Sequence, residues 1–269
     1  MAENEDAKKV TQTLKNIKNR LLVFSGKGGV GKSTVAANLA LALAEKKNQV
    51  GLLDVDIHGP NLAKMLGAEG KTLEAIPEGI KPVKVNPRVS LISMSFLLQD
   101  PNLPVIWRGP MKMKAIQQFL GDVAWGKLDW LIIDSPPGTG DEPLSIAQLI
   151  PATGAVIVTT PQEVSLMDSR KAVGFARRLN LKIYGIIENM STLICPHCGN
   201  KISLFKEGGG EKVSKEMDVP FLGRIPIDPE IVTMGDEGKS FIESNPESET
   251  TKAFLQIVDR IVDTVKGKN

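Results

Sequence analysis

Along the 269-residue chain, short continuous apolar runs alternate with longer stretches whose apolar positions recur at helical spacing. The runs are LLVFSG at 21–26, VGLLDVD at 50–56, LIIDSPPG at 131–138, GAVIVTTP at 154–161 and IYGIIENM at 183–190. They are dense in Val, Ile and Leu and stop at Gly, Pro or Asp, the pattern of strands buried on both faces. Between them, TVAANLALALAEKK at 34–47, MKMKAIQQFLGDV at 111–123 and SLMDSRKAVGFARRLN at 165–180 predict helices. Strand, helix, strand in repetition predicts an α/β fold, a mostly parallel sheet with helices on both faces. Such a sheet binds ligands beyond the carboxyl ends of its strands, where the polar punctuation falls. Three stretches break the rhythm. Residues 1–18 are polar and lysine-rich and read as a flexible arm or a short helix. Residues 67–88 hold several Gly and Pro and read as a long surface connection, and residues 190–212 read as an insertion loop.

The strongest chemical signal is SGKGGVGKST at 25–34, which contains G-x-x-x-x-G-K-[ST] between a predicted strand and a predicted helix. Gly26, Gly28, Gly29 and Gly31 allow a tight turn whose N–H groups face phosphate, and the helix N-terminus adds its positive end. The loop Gly26, Gly28, Gly29, Val30, Gly31, Lys32, Ser33 and Thr34 is thus the expected nucleotide cradle. Lys32 reaches the terminal phosphates and Ser33 binds magnesium. Carboxylates follow at strand ends: Asp54 and Asp56 in LLDVD, Asp134 in LIIDSPPG. A nucleotide–magnesium site needs a carboxylate for the metal's water shell, a group that orients the attacking water, and an N–H that senses the γ-phosphate. Asp134, Asp56 and Gly138 suit these roles, with Asp54 among the cofactor contacts. The plain alternative for a lone Asp at a strand end is a turn cap. The expected division is therefore a flexible arm over 1–18 and a single P-loop ATPase domain over 19–269, with the insertion at about 190–212.

Composition narrows the classes. A net charge of +2 gives little support for nucleic acid or an acidic membrane as partner. The opening MAENEDAKKV is not a secretory signal, and no run approaches the roughly 18 apolar residues of a spanning helix. These features lead to the expectation of a cytoplasmic protein. The amphipathic stretch TKAFLQIVDRIVDTVK at 251–266 mixes acids and bases on its polar face, so it reads as a helix packed on the sheet and not as a membrane-binding tail.

SGKGGVGKST, LLDVDIHGPN, LIIDSPPGTGDEP, VIVTTPQEVSLMDSRKA, IENMS, CPHCG and FLGRIPIDPEI, in that order, resemble the Mrp/ApbC-like P-loop ATPases. That family comprises iron–sulfur cluster carriers of the deviant Walker A superfamily, together with the MinD and ParA types. The resemblance spans roughly residues 18–245. It implies that the second lysine of the loop, Lys27, reaches across a homodimer interface to the partner's ATP, as an arginine finger does. It implies that Asn189 contacts adenine and that the RIPID segment, with Arg224 and Pro226, adds backbone contacts to the base. His58 stands where the family often has tyrosine, and its role is open between packing and interface.

Cys195 and Cys198, the only cysteines, form C-P-H-C with His197 as spacer. Two thiolates do not complete a tetrahedral site, but a two-fold dimer would bring four together. That donor set suits a bridging 4Fe-4S cluster or a zinc ion equally; a redox pair and a metal-free knuckle are further readings. The resemblance implies the cluster, handed on to acceptor apoproteins. The rival class is a MinD/ParA-like positioning ATPase with a structural zinc. A small-molecule kinase on the same scaffold would need an acceptor site that the sequence does not display.

Overall fold

The computed structural model describes residues 2–57, 59–97, 109–195 and 198–267. In chain order, α1 (Ala2–Leu14) leads into β1 (Ile17–Phe24), α2 (Lys32–Glu45), β2 (Val50–Asp54) and a short α3 (Leu62–Met65). A small hairpin, β3 (Glu74–Ile76) and β4 (Gly79–Lys81), precedes β5 (Val83–Lys84) and β6 (Val89–Ser93). Then come α4 (Gly109–Gly121), β7 (Leu128–Asp134), α5 (Asp141–Leu149), β8 (Gly154–Thr159), α6 (Glu163–Arg178) and β9 (Ile183–Glu188). A second hairpin, β10 (Leu193–Ile194) and β11 (Lys201–Ile202), is followed by α7 (Gly209–Glu216), β12 (Phe221–Arg224), α8 (Pro229–Asp236), α9 (Phe241–Ser244) and α10 (Glu249–Lys266).

Eight strands form one sheet in the order β12-β9-β8-β1-β7-β2-β6-β5. All neighbours run parallel except β5, which pairs antiparallel with β6 at one edge. Side chains alternate across the strands. Leu21 and Val23 of β1 pack with α2, α3, α9 and α10 on one face; Leu22 and Phe24 pack with α4, α6 and the end of α1 on the other. Both faces are covered, which is why β2, β6 and β8 are buried along their whole length.

Three readings need correction. The expected arm over 1–18 is instead helix α1 and the start of β1. Leu14 and Ile17 are buried and the Thr13 hydroxyl donates to the Gly121 carbonyl, so α1 docks on α4. The expected surface connection at 67–88 contains β3, β4 and β5 and leads directly into β6, a fully buried strand whose VSLIS run carries the same apolar signal as the others. The insertion at 190–212 contains a hairpin and the first turn of α7.

The C-terminal stretch is the expected packed helix. Ser248 caps α10 by accepting from the Thr251 amide at 3.0 Å, and Phe254, Ile257, Val258 and Ile261 are buried against α2 and the sheet. No helix among the described residues is long and apolar enough to cross a membrane. Phe254→Ala should destabilise the protein by about 3–5 kcal/mol in urea denaturation. Leu255→Ala, at a partly buried position, should cost clearly less; equal small losses would mean that α10 is not docked.

Candidate functional site

Strand register builds the site. Asp54 of β2 lies directly opposite Asp134 of β7, which lies opposite Val23 of β1. The ends of these three parallel strands therefore lie abreast, and the chain leaving β1 wraps over them. Gly31 takes a left-handed conformation (φ 78°) and starts α2 at Lys32. A side chain on Gly26 would meet the Asp168 carbonyl oxygen at 2.2 Å, so only glycine fits beneath α6.

The result is a cavity of about 250 Å³ lined by Lys27, Gly28, Gly29, Gly31, Lys32, Ser33, Thr34 and Asp56, together with Asn61, Met65 and Pro137. The last three were missed in the sequence; Asn61 and Pro137 belong to the turns after β2 and β7, where their polar punctuation was the available signal. Lys32 is buried. Its Nζ lies 2.6 Å from Asp134 Oδ1, 3.7 Å from Asp56 Oδ2 and 3.2 Å from Ser33 Oγ. Lys27 lies on the cavity wall, and its backbone carbonyl accepts from the Ser25 hydroxyl at 2.8 Å. The structure thus brings Lys27, Lys32, Ser33, Thr34 and Asp56 together around one cavity, with Asp134 behind Lys32. Asp134 Oδ2 is buried without a hydrogen-bond partner. An orphan carboxylate oxygen beside the Ser33 hydroxyl fits a hydrated divalent cation, which supplies water donors.

Several expected contacts face elsewhere. Asp54 is turned inward: it accepts from the Ser93 hydroxyl at 3.0 Å and from the Asp56 and Leu62 amides. It braces the strand ends and is not among the residues that line this cavity. Gly138 donates its N–H to the Ser25 carbonyl at 2.9 Å, so that donor is engaged with the phosphate loop itself. The Asn189 side-chain amide donates to the Val30 carbonyl at 2.9 Å and clamps the loop from the far side. Arg224 pairs with Glu188 and Glu211 and lies over the Phe221 ring, where guanidinium and aromatic face attract. Pro226 lines a separate groove of about 450 Å³ beside Ile194. His58 lies outside the described residues.

The electrostatics follow from burial. Loss of water pushes the Asp54 carboxyl up to about 8, and the charge of Asp134 pushes it the same way, against Lys32 and the hydrogen bonds from Ser93 and Asp56. Burial also raises Asp134, while the adjacent Lys32 charge and hydrogen bond hold it back.

The cysteines sit on the β10–β11 hairpin. Cys195 is half-buried, Cys198 is exposed, and neither forms a disulfide. The Cys195 amide donates to the Asn200 carbonyl at 2.9 Å, and the Cys195 carbonyl accepts from the Gly199 amide at 2.9 Å, forming a tight knuckle. Pro196 and His197 lie outside the described residues. No group of three or more His, Cys, Asp or Glu side chains able to hold a metal ion occurs among the described residues.

Comparison with known proteins agrees with this geometry. The ParA family model described as NUBPL iron-transfer P-loop NTPase matches residues 16–262. The chain is 51% identical over 260 residues to an iron-sulfur cluster carrier protein of Saccharolobus solfataricus, covering 96% of this chain and 88% of that one. A second iron-sulfur cluster carrier protein, from Methanocaldococcus jannaschii, is 49% identical over 265 residues, 98% of this chain and 90% of the relative. A nucleotide-binding protein from Archaeoglobus fulgidus, solved in complex with ADP, superposes with a TM-score of 0.78 at 39% identity, covering 86% of this chain and 91% of that one.

The buried carboxylate makes a pH prediction. An ordinary aspartate titrates near about 3.9. Asp54 is raised in the folded state, so its contribution to stability is complete below that value and is lost as pH rises through about 8. The parent protein should therefore lose more unfolding free energy between acid and alkaline pH than Asp54→Asn, measured by denaturant titration at several pH values. Identical pH slopes would refute the raised carboxyl.

Proposed function

We infer, on the premise that this chain belongs to the NUBPL iron-transfer P-loop NTPase family of the ParA type, that it is a magnesium-dependent ATPase of slow turnover. Its main task is to carry a 4Fe-4S cluster and deliver it to acceptor apoproteins in the cytoplasm. The observation that carries the reading is the knuckle. Two sulfur ligands on an exposed hairpin, with no third ligand in reach among the described residues, leave a cargo half-coordinated until a second chain supplies the rest. A cluster held between two copies is released when they separate, which suits a carrier. A bridging zinc would draw on the same four sulfurs.

In the phosphate cavity, Lys32 is held in place by two carboxylates. A polyphosphate would take over that lysine through charge-assisted hydrogen bonds, stronger than neutral ones. The Ser33 hydroxyl and, through water, Asp134 would hold a magnesium ion, which when bound would supply charge neutralisation at the phosphates. Asp56, on the cavity wall, orients the attacking water. Lys27 serves the partner's nucleotide in the homodimer, adding positive charge where the leaving phosphate becomes more negative. The adenine contacts expected of Asn189, Arg224 and Pro226 remain part of this reading only through the backbone of the segment, since the side chains of Asn189 and Arg224 are engaged with the protein.

Lys32→Ala should lower ATP affinity at least about tenfold, the loss expected when a charged hydrogen-bond partner is removed. Lys27→Ala should instead keep most of its affinity and lose turnover. Mixing Lys27→Ala with Asp56→Ala should restore part of the activity, because one composite site in each heterodimer regains both groups. Normal turnover by Lys27→Ala alone would rule out the role in trans.

Anaerobic reconstitution should give roughly four iron atoms per two chains, with a dimer on size-exclusion chromatography. Cys195→Ser or Cys198→Ser should abolish cluster uptake and leave ATP binding intact. Tight zinc binding with no iron–sulfur absorption and no activation of an acceptor would favour the structural-zinc reading.

A further inference from the structure

The cysteine hairpin leaves the sheet at the end of β9 and returns to that same point. On the outgoing side, the Asn189 amide donates to the Thr159 carbonyl, and its side chain holds the Val30 carbonyl of the phosphate loop. A side chain on Gly31 would meet Asn189 Nδ2 at 2.3 Å, so the two are in close contact. Ser191 and Ile227 then tie the outgoing strand to the segment after β12. On the returning side, the chain is caught by the residue immediately before Asn189. Glu188 is fully buried, and its carboxylate accepts from the Gly208 amide at 3.2 Å and from the Gly210 amide at 2.6 Å.

The chemistry of this clamp is specific. A carboxylate at the N-terminus of α7 meets the positive end of the helix and its unpaired N–H groups. Arg224 Nε lies 3.4 Å from the same carboxylate, and its guanidinium also binds Glu211 in the first turn of α7. Gly210 lets α7 come close: a side chain there would lie 2.9 Å from Glu188 Cβ and 3.2 Å from Oε2. A buried charge tied by several short contacts is costly to shift singly, so the strand end and the N-terminus of α7 move together.

Two consecutive residues therefore do two jobs. Asn189 touches the phosphate loop, and Glu188 holds the returning end of the cysteine loop. We propose that Glu188 is a positioning residue that couples nucleotide in the phosphate cavity to the geometry of Cys195 and Cys198. The inference rests on nucleotide binding at that cavity, not on the identity of the metal cargo. A nucleotide that shifts the loop at Val30 shifts Asn189, and the backbone bond carries the shift to the Glu188 carboxylate and thence to Gly208 and Gly210. The thiols then report nucleotide state without any metal present.

The test uses the reduced, metal-free full chain. Alkylation of Cys195 and Cys198 by iodoacetamide is followed by mass spectrometry with no nucleotide, with Mg-ADP and with Mg-ATP. The wild-type rate should change about fivefold on nucleotide binding, the lower end of ordinary coupling between sites. Glu188→Gln, which keeps the shape and removes the charge, should bind Mg-ATP as the parent does and lose most of that response. Gly210→Ala, which pushes α7 off the carboxylate, should do the same. An undiminished response in Glu188→Gln, or no response in wild type with nucleotide bound, would overturn the coupling. If both variants fail to fold, hydrogen exchange in the wild type decides: the Gly208 and Gly210 amides should change protection when Mg-ATP is added, and unchanged protection would overturn it. A wild type that binds no Mg-ATP at all would strike the nucleotide reading itself and take this inference with it.

Discussion

Lys32 and Asp134 meet at 2.6 Å in a place almost wholly withdrawn from water. Neither charge would persist there alone, because desolvation of an isolated ion costs several kcal/mol. The pair exists because two pieces of backbone agree. Parallel register sets the end of β7 between those of β1 and β2, and the turn at Gly31 launches α2 directly above it. A slip of one residue in β7 would turn its carboxylate to the opposite face of the sheet.

That arrangement leaves too many acids for one lysine. Asp54, Asp56 and Asp134 crowd the same strand ends, and the protein separates them by environment. Asp54 is sealed below with Ser93 and backbone amides as donors, Asp134 keeps one oxygen on Lys32, and Asp56 stays at the cavity wall. Burial favours the protonated form of the first, which relieves repulsion that would otherwise oppose the folded state. The cavity is thus left with one firmly held cation and a carboxylate beside it, a polarity suited to a polyphosphate with its metal.

The architecture and the phosphate loop were legible in the sequence because their signals are local and redundant. Five apolar runs of strand length, each ending in polar residues, gave the parallel sheet, and the loop motif lay between a strand and a helix. β6 went unread although its VSLIS run, which starts immediately after the Gly- and Pro-bearing connection at 67–88, is apolar at Val89, Leu91 and Ile92. Helix α1 was obscured by its lysines and glutamates, which say nothing about the buried Leu14. Side-chain direction was the harder matter. Asp54 and Asp56, two residues apart, would share one face if the strand ran on, and only the contacts of Asp54 with Ser93 and the Leu62 amide reveal that it faces inward. Asn189 was expected to contact the base and the RIPID segment to reach it through its backbone; that the Asn189 side chain holds Val30 and the Arg224 side chain holds Glu188 and Glu211 leaves no pattern in the sequence around them.

The sheet order also bears on how the chain is made. β1 leaves the ribosome well before its hydrogen-bonding neighbours, β7 and β8. Those strands emerge about a hundred residues later, roughly 5–20 seconds at ordinary translation rates. For that interval β1, which ends in Leu, Leu, Val and Phe, has no partner for either edge, and β2 lacks β7 as well. Helix α2 can shield one face of β1 but supplies no backbone hydrogen bonds to it. The sheet therefore closes late, when β7 and β8 arrive on the two sides of β1.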